Sequence, residues 1–192
     1  MTAYEKPRLA VSEIEGVLRK HFGPGVAEIT PLTGGNMSSV FSFVHKGNGY
    51  VVKFCGLEGA YQTEGFVSDL LSGQGIPVPK CLTLGKEGLL TYIITERMDG
   101  RNLADYSVEQ QAAHLPELIG ILTKLAAADV GATNGYGWIG PDGNGTYASW
   151  IDFVIACSAE DQTGTFWENW HDLYRTSCLE REVYEEIYNR LM

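Results

Sequence analysis

An α+β fold is what the sequence predicts, and three observations predict it. The first half alternates short Val-, Phe- and Tyr-rich runs with glycine turns, the second half is Leu- and Ala-rich at helical spacing, and the change falls near Asp99-Gly100. At 192 residues the chain can bury a core and form one domain or two small lobes. The expected division is a β-rich small lobe over residues 1–97 and a helical part over 98–192.

The spacing of apolar residues in "VSEIEGVLRKHF" predicts a short amphipathic helix, capped by Ser12 and stopped by Gly23-Pro24-Gly25. "VAEITPL", "SVFSFVHK" and "GYVVKFC" then predict three strands in antiparallel hairpins, turning at Gly34-Gly35 and at Gly47-Asn48-Gly49. "GAYQTEGFVSDLLSGQG" has Phe66, Leu70 and Leu71 on one helical face and ends in glycines. "PVPKCLTLGKEGLLTYIITERM" predicts an extended entry and two more strands around Lys86-Glu87-Gly88. Beyond the junction, "VEQQAAHLPELIGILTKLAAAD" predicts a long helix in which Pro116 is a kink or a fresh start. "VGATNGYGWIGPDGNGTY" reads as a glycine-rich loop, and "ASWIDFVIACSAED", "TFWENWHDLYRTS" and "EREVYEEIYNRLM" read as helices.

Charge and cysteine usage exclude several function classes. A formal net charge of -10, with 14 dispersed Lys and Arg, argues against nucleic acid and anionic membrane surfaces as partners, since phosphates are held by clustered cations. The same acidity suits a cationic small molecule. Cys55, Cys81, Cys157 and Cys178 stand far apart with no C-x-x-C pair, so a zinc site is not expected and reduced thiols in a cytoplasmic protein are. The N-terminal stretch has no apolar segment of signal-peptide type, and no run approaches the roughly eighteen apolar residues that span a bilayer.

Three pieces of the first half carry chemistry. "TGGNMSS" offers backbone amides and small hydroxyls at a tight bend that an anion can approach. In "YVVKF", Val51 and Lys53 share a strand face, and a half-buried ammonium there calls for a counter-charge, for which Glu64 on the next helix is the nearest candidate. "YIITERMDG" runs from an apolar strand into a flexible link whose backbone groups are free for a flat heterocycle.

In this order the pieces resemble the small lobe of the protein-kinase-like fold, and more closely the aminoglycoside phosphotransferase family. "LTGGNMSSVFSF" is similar to the family's nucleotide loop, Lys53 to its phosphate-contacting lysine, Glu64 to that lysine's helix partner, "GIPVPKCL" to the run into the fourth strand, and "TERMDG" to the hinge. "LIGILTKLAAAD" and "GYGWIGPDGNGTYASWIDFV" are similar to stretches of its large lobe. The resemblance implies a five-stranded antiparallel small lobe with a helix, followed by the beginning of a helical lobe. It implies that Lys53 contacts nucleotide phosphates while Glu64 steadies it, that the loop over Gly34, Gly35, Asn36, Ser38 and Ser39 covers the triphosphate, and that Glu96 and Met98 offer backbone groups to the base. The implied cofactors are ATP or GTP with Mg²⁺, and the implied reaction is phosphoryl transfer to a hydroxyl of a small, cationic molecule such as an aminoglycoside.

That chemistry also needs an aspartate for the attacking hydroxyl and an Asn and Asp for the metal, which in the family come as H-G-D-x-x-x-x-N and a second acid motif. His21, His45, His114 and His171 have no aspartate two residues on, so we expect a shortened chain, inactive alone, whose catalytic aspartate falls beyond Met192. Asp152, Glu160, Asp161 and Glu168 are the acids expected to border an acceptor pocket. A non-catalytic nucleotide- or metabolite-binding module, and a fragment that pairs with another chain, are the competing readings.

Overall fold

Strands that alternate buried and exposed residues need a helix on each buried face, and the first half of the chain supplies two. The structure, a computed structural model, describes residues 5–159, 161–164 and 167–191. Helix α1 (Val11–Phe22) is followed by β1 (Val26–Leu32), β2 (Ser39–His45) and β3 (Asn48–Cys55), then α2 (Gln62–Ser72), β4 (Cys81–Glu87) and β5 (Leu90–Glu96). The five strands form one antiparallel sheet in the order β1-β2-β3-β5-β4.

The two sheet faces bury different residues. On one, Ile14, Val17 and Leu18 of α1 pack with Phe43, Val52, Phe54, Tyr92 and Ile94. On the other, Cys55 and Ile93 pack with Tyr61 at the start of α2. Each large apolar side chain so enclosed contributes about 1.5 to 3 kcal/mol relative to exposure, so the sheet is firmly held between its helices.

Several expected boundaries move. Helix α1 begins after Ala10, not Ser12, because the Glu13 carboxylate reaches back to accept the Ala10 N–H at 2.7 Å. The second hairpin turns at Lys46-Gly47, both at positive φ, with Asn48 already paired to His45, so Asn48 and Gly49 belong to β3. The β4–β5 turn sits at Gly88-Leu89, with Glu87 opposite Leu90. The buried positions of α2 are Gly65 and Ser68, while Phe66, Leu70 and Leu71 are only half-buried.

Helix α3 (Val108–Ala126) runs through Pro116 without a break. Proline's φ is helical, and the carbonyl deprived of its partner, on Ala112, lies on an exposed residue where water can serve it. Ser107 and Gln110 form a reciprocal capping box at its start.

The glycine-rich loop expected over 130–147 contains a hairpin, β6 (Tyr136–Ile139) and β7 (Gly145–Tyr147). Helix α4 (Trp150–Ser158) follows, capped by Ser149, then a 3-10 turn at Trp170–Asp172, a single turn α5 (Leu173–Thr176) and α6 (Arg181–Leu191). "TFWENWHDLYRTS" is thus turns and not one helix. The chain divides into two compact units, Met1–Ala132 with Pro141–Gly143, and Thr133–Gly140 with Asn144–Met192. The sheet ends at Glu96, whereas the units part near residue 133 and leave α3 in the first. No helix among the described residues is long and apolar enough to cross a membrane.

Candidate functional site

Strand alternation decides which residues of β3 can reach a ligand. Val52 and Phe54 are fully buried against α1, so Val51 and Lys53 point to the opposite face. There they line a cleft of about 770 Å³, together with Glu64 and Val67 of α2 and the chain from Thr95 to Asn102. Leu32, Val51, Val67 and Val78 give it apolar walls, and Lys53 and Glu64 meet within it.

The Lys53 ammonium donates to the Glu64 carboxylate at 2.6 Å, with both side chains about one-third exposed, at 31% and 40%. A pair open to water contributes little to stability, about 1 kcal/mol or less. Its effect is geometric: the carboxylate holds a flexible four-carbon amine in one place, with donors left over for an anion.

The glycine loop lies at the end of the same sheet. Gly34 and Gly35 have φ of 125° and 60°, a region side chains disfavour, and a Cβ on either would meet nothing within 4 Å, so backbone geometry demands glycine while the space above stays open. The loop's two serine hydroxyls are engaged elsewhere, and a lysine holds its backbone. Ser39 donates its hydroxyl to the Pro7 carbonyl, Tyr61 donates to Ser38 Oγ at 2.8 Å, and Lys6 donates to the Gly34 carbonyl at 2.9 Å. Leu32 and Thr33 line the cleft; Gly34, Gly35, Asn36, Ser38 and Ser39 do not. What the loop can offer a ligand is its amides, and its hydroxyls fasten it in place.

At the other end, Arg97 N–H donates to the Gly49 carbonyl at 3.1 Å while Tyr50 stands opposite Glu96. That pattern makes Tyr50 and Glu96 a non-hydrogen-bonded pair, so the backbone groups of Glu96 face away from β3. The Glu96 N–H donates to the Lys80 carbonyl at 3.0 Å. Residues 97–99 belong to no strand or helix and line the cleft with Glu96.

Asp152, Asp161 and Glu168, three of the acids expected near an acceptor, lie in the second unit and accept local hydrogen bonds. Asp152 accepts from the Ser149 hydroxyl at 2.7 Å in the first turn of α4. Asp161 accepts the Thr163 N–H at 3.0 Å, and hydrogen bonds from the Thr163 side chain and then its backbone hold its carboxyl below the usual range. Glu168 accepts the Gly164 N–H at 3.0 Å, and Glu160 lies outside the described residues.

Sequence reasoning missed Ser68, Pro79 and Arg101, all in the cleft wall. Arg101 donates to the Asp105 carbonyl at 2.7 Å and its guanidinium lies 4.7 Å from the Tyr106 ring centre.

The model of the phosphotransferase enzyme family matches residues 28–177. The chain belongs to that phosphotransferase family. Among its relatives, hygromycin-B 4-O-kinase of Escherichia coli is 31% identical over 153 residues, covering 79% of this chain and 45% of the kinase. The crystal structure of aminoglycoside phosphotransferase APH(4)-Ia superposes with a TM-score of 0.71 at 26% identity, over 95% of this chain and 58% of that one. A thermostable mutant of the same phosphotransferase, in a ternary complex with AMP-PNP and hygromycin B, gives 0.70 at 27% identity, over 93% and 57%. The chain therefore spans about half the length of these phosphotransferases.

Proposed function

We propose that the intact protein transfers the γ-phosphoryl group of ATP or GTP to a hydroxyl of a small, cationic molecule such as an aminoglycoside, in the cytoplasm. The observation that carries this reading is the Lys53–Glu64 contact of 2.6 Å inside the cleft. Phosphoryl transfer asks a protein mainly to position a polyanion and to offset charge that spreads over its oxygens. Lys53 supplies the fixed charge, the amides from Gly34 to Ser39 cover the phosphates, and the edge from Glu96 to Met98 takes the base. The apolar residues Leu32, Val51 and Val78 keep water from the base. The relative held with AMP-PNP and hygromycin B supports a nucleotide and an aminoglycoside as the two substrates.

Mg²⁺ is the ion such chemistry uses, offsetting phosphate charge. Among the described residues no group of three or more His, Cys, Asp or Glu could hold a metal ion. On the acceptor side, Asp152 and Asp161 are the residues whose charge would attract a cationic sugar.

The test is nucleotide binding by the purified chain. Lys53→Ala should weaken ATP affinity roughly ten- to a hundredfold, the loss expected for one charge-assisted contact to phosphate. Isothermal titration that finds the same affinity in both chains would remove the basis of the assignment.

A further inference from the structure

One peptide group joins the two ends of the cleft. Ser68 lies four residues beyond Glu64 on α2, hence on the same helical face and about 6 Å along the axis. Its side chain is buried, and its hydroxyl makes two hydrogen bonds, donating to the Pro79 carbonyl and accepting the Cys81 N–H, each at 2.8 Å. The Cys81 N–H and the Lys80 carbonyl belong to the same trans peptide, so they point in opposite directions. The carbonyl accepts the Glu96 N–H at 3.0 Å. The Lys80–Cys81 peptide is thereby gripped by α2 on one side and by the end of β5 on the other.

Residue 65, where the helix passes the fourth strand, is glycine, and the nearest atom to a Cβ there is the tip of the exposed Leu84 side chain. A Cβ there would stand 2.8 Å from Leu84 Cδ1 and 3.7 Å from Cys81 Sγ. Gly65 and Ser68 are the two buried positions of α2, and both face the fourth strand and its entry.

We infer that Ser68 is a positioning residue for nucleotide binding, fixing through the Lys80–Cys81 peptide the distance between the Lys53–Glu64 pair and the Glu96–Met98 edge. The inference rests on the nucleotide-site reading above. A ligand that must touch both ends at once is sensitive to that distance, whereas a ligand held at one end is not. Ser68 touches no nucleotide in this account and acts only through the register of α2.

The experiment is a double-mutant cycle on ATP affinity with the 192-residue chain, using Ser68→Ala, Lys53→Ala and the double variant. Ser68→Ala should weaken ATP binding roughly five- to twentyfold in the parent, as expected for residues coupled through a shared backbone shift, here that of α2, and less than about twofold when Lys53 is already alanine. Ser68→Thr, which keeps the hydroxyl, should recover most of the loss. Equal losses in both backgrounds, or no loss in the parent, would overturn the inference, because a residue that merely stabilises the fold gives additive effects. If Lys53→Ala itself leaves ATP affinity unchanged, the site reading fails and Ser68 falls with it. Should Ser68→Ala not fold, Ser68→Val, which matches Ser68→Thr in shape but lacks the hydroxyl, takes its place and must show the same dependence on Lys53.

Discussion

Lys53 is the residue on which the proposed chemistry turns, and its setting explains why a charged side chain is tolerated two positions from the end of an apolar strand. It faces the cleft and not the core, and its partner arrives from α2 eleven residues later. Exchanging the pair for neutral residues should alter overall stability by about 1 kcal/mol or less, since both ends are open to water. Cys81, beside the same helix, reports on the local field. Burial first, then the Asp69 and Glu64 carboxylates, push its thiol above its ordinary value. Little thiolate is therefore present at pH 8, and iodoacetamide should label the exposed Cys157 and Cys178 well before Cys81. Glu64→Gln removes one of the raising charges and should speed Cys81 labelling roughly twofold, read by mass spectrometry. A slower reaction in that variant would mean that Glu64 does not act on the thiol as described.

At the scale of elements, β4 and β5 are joined by an aromatic ring lying over a glycine. Gly85 stands opposite Tyr92, and a Cβ at 85 would come within 2.2 Å of the Tyr92 hydroxyl oxygen and 2.9 Å of a ring carbon. The ring is buried and its hydroxyl is 2.7 Å from His21 Nε2, so it cannot swing aside freely. Gly85→Ala should cost about 1 to 3 kcal/mol of stability by overpacking, seen as a lower urea midpoint. An unchanged midpoint would show that the seam yields more easily than its contacts suggest. The strands were legible because their signal is local: alternating side chains put Val51 and Lys53 on one face, and the structure keeps them there. Ser68 was not legible, since a serine inside a helix reads as solvated and its two partners lie at residues 79 and 81. The β6–β7 hairpin was hidden because its glycines read as loop, while the strands pair Tyr136 with Tyr147 across the turn.

At the scale of the whole molecule, the order of pieces was more informative than any one of them. A glycine bend, a strand lysine and a helical acid are each common, and the five-stranded sheet brings the last two within hydrogen-bond reach beside the chain that follows β5. On the acceptor side the structure adds local partners. Asp152 and Asp161 looked like free charges in the sequence, and the structure occupies both with local turns, which spacing alone does not reveal. A transfer assay on the intact protein with MgATP or MgGTP and a panel of amino sugars should find a phosphorylated acceptor, and a panel without one would favour a binding module of the same fold. The most direct measurement on the central claim compares ATP with adenosine. Lys53→Ala should lower the affinity for ATP roughly ten- to a hundredfold and leave that for adenosine within about twofold, because the lysine serves the phosphates alone. An equal loss for both ligands, or none for ATP, would contradict it.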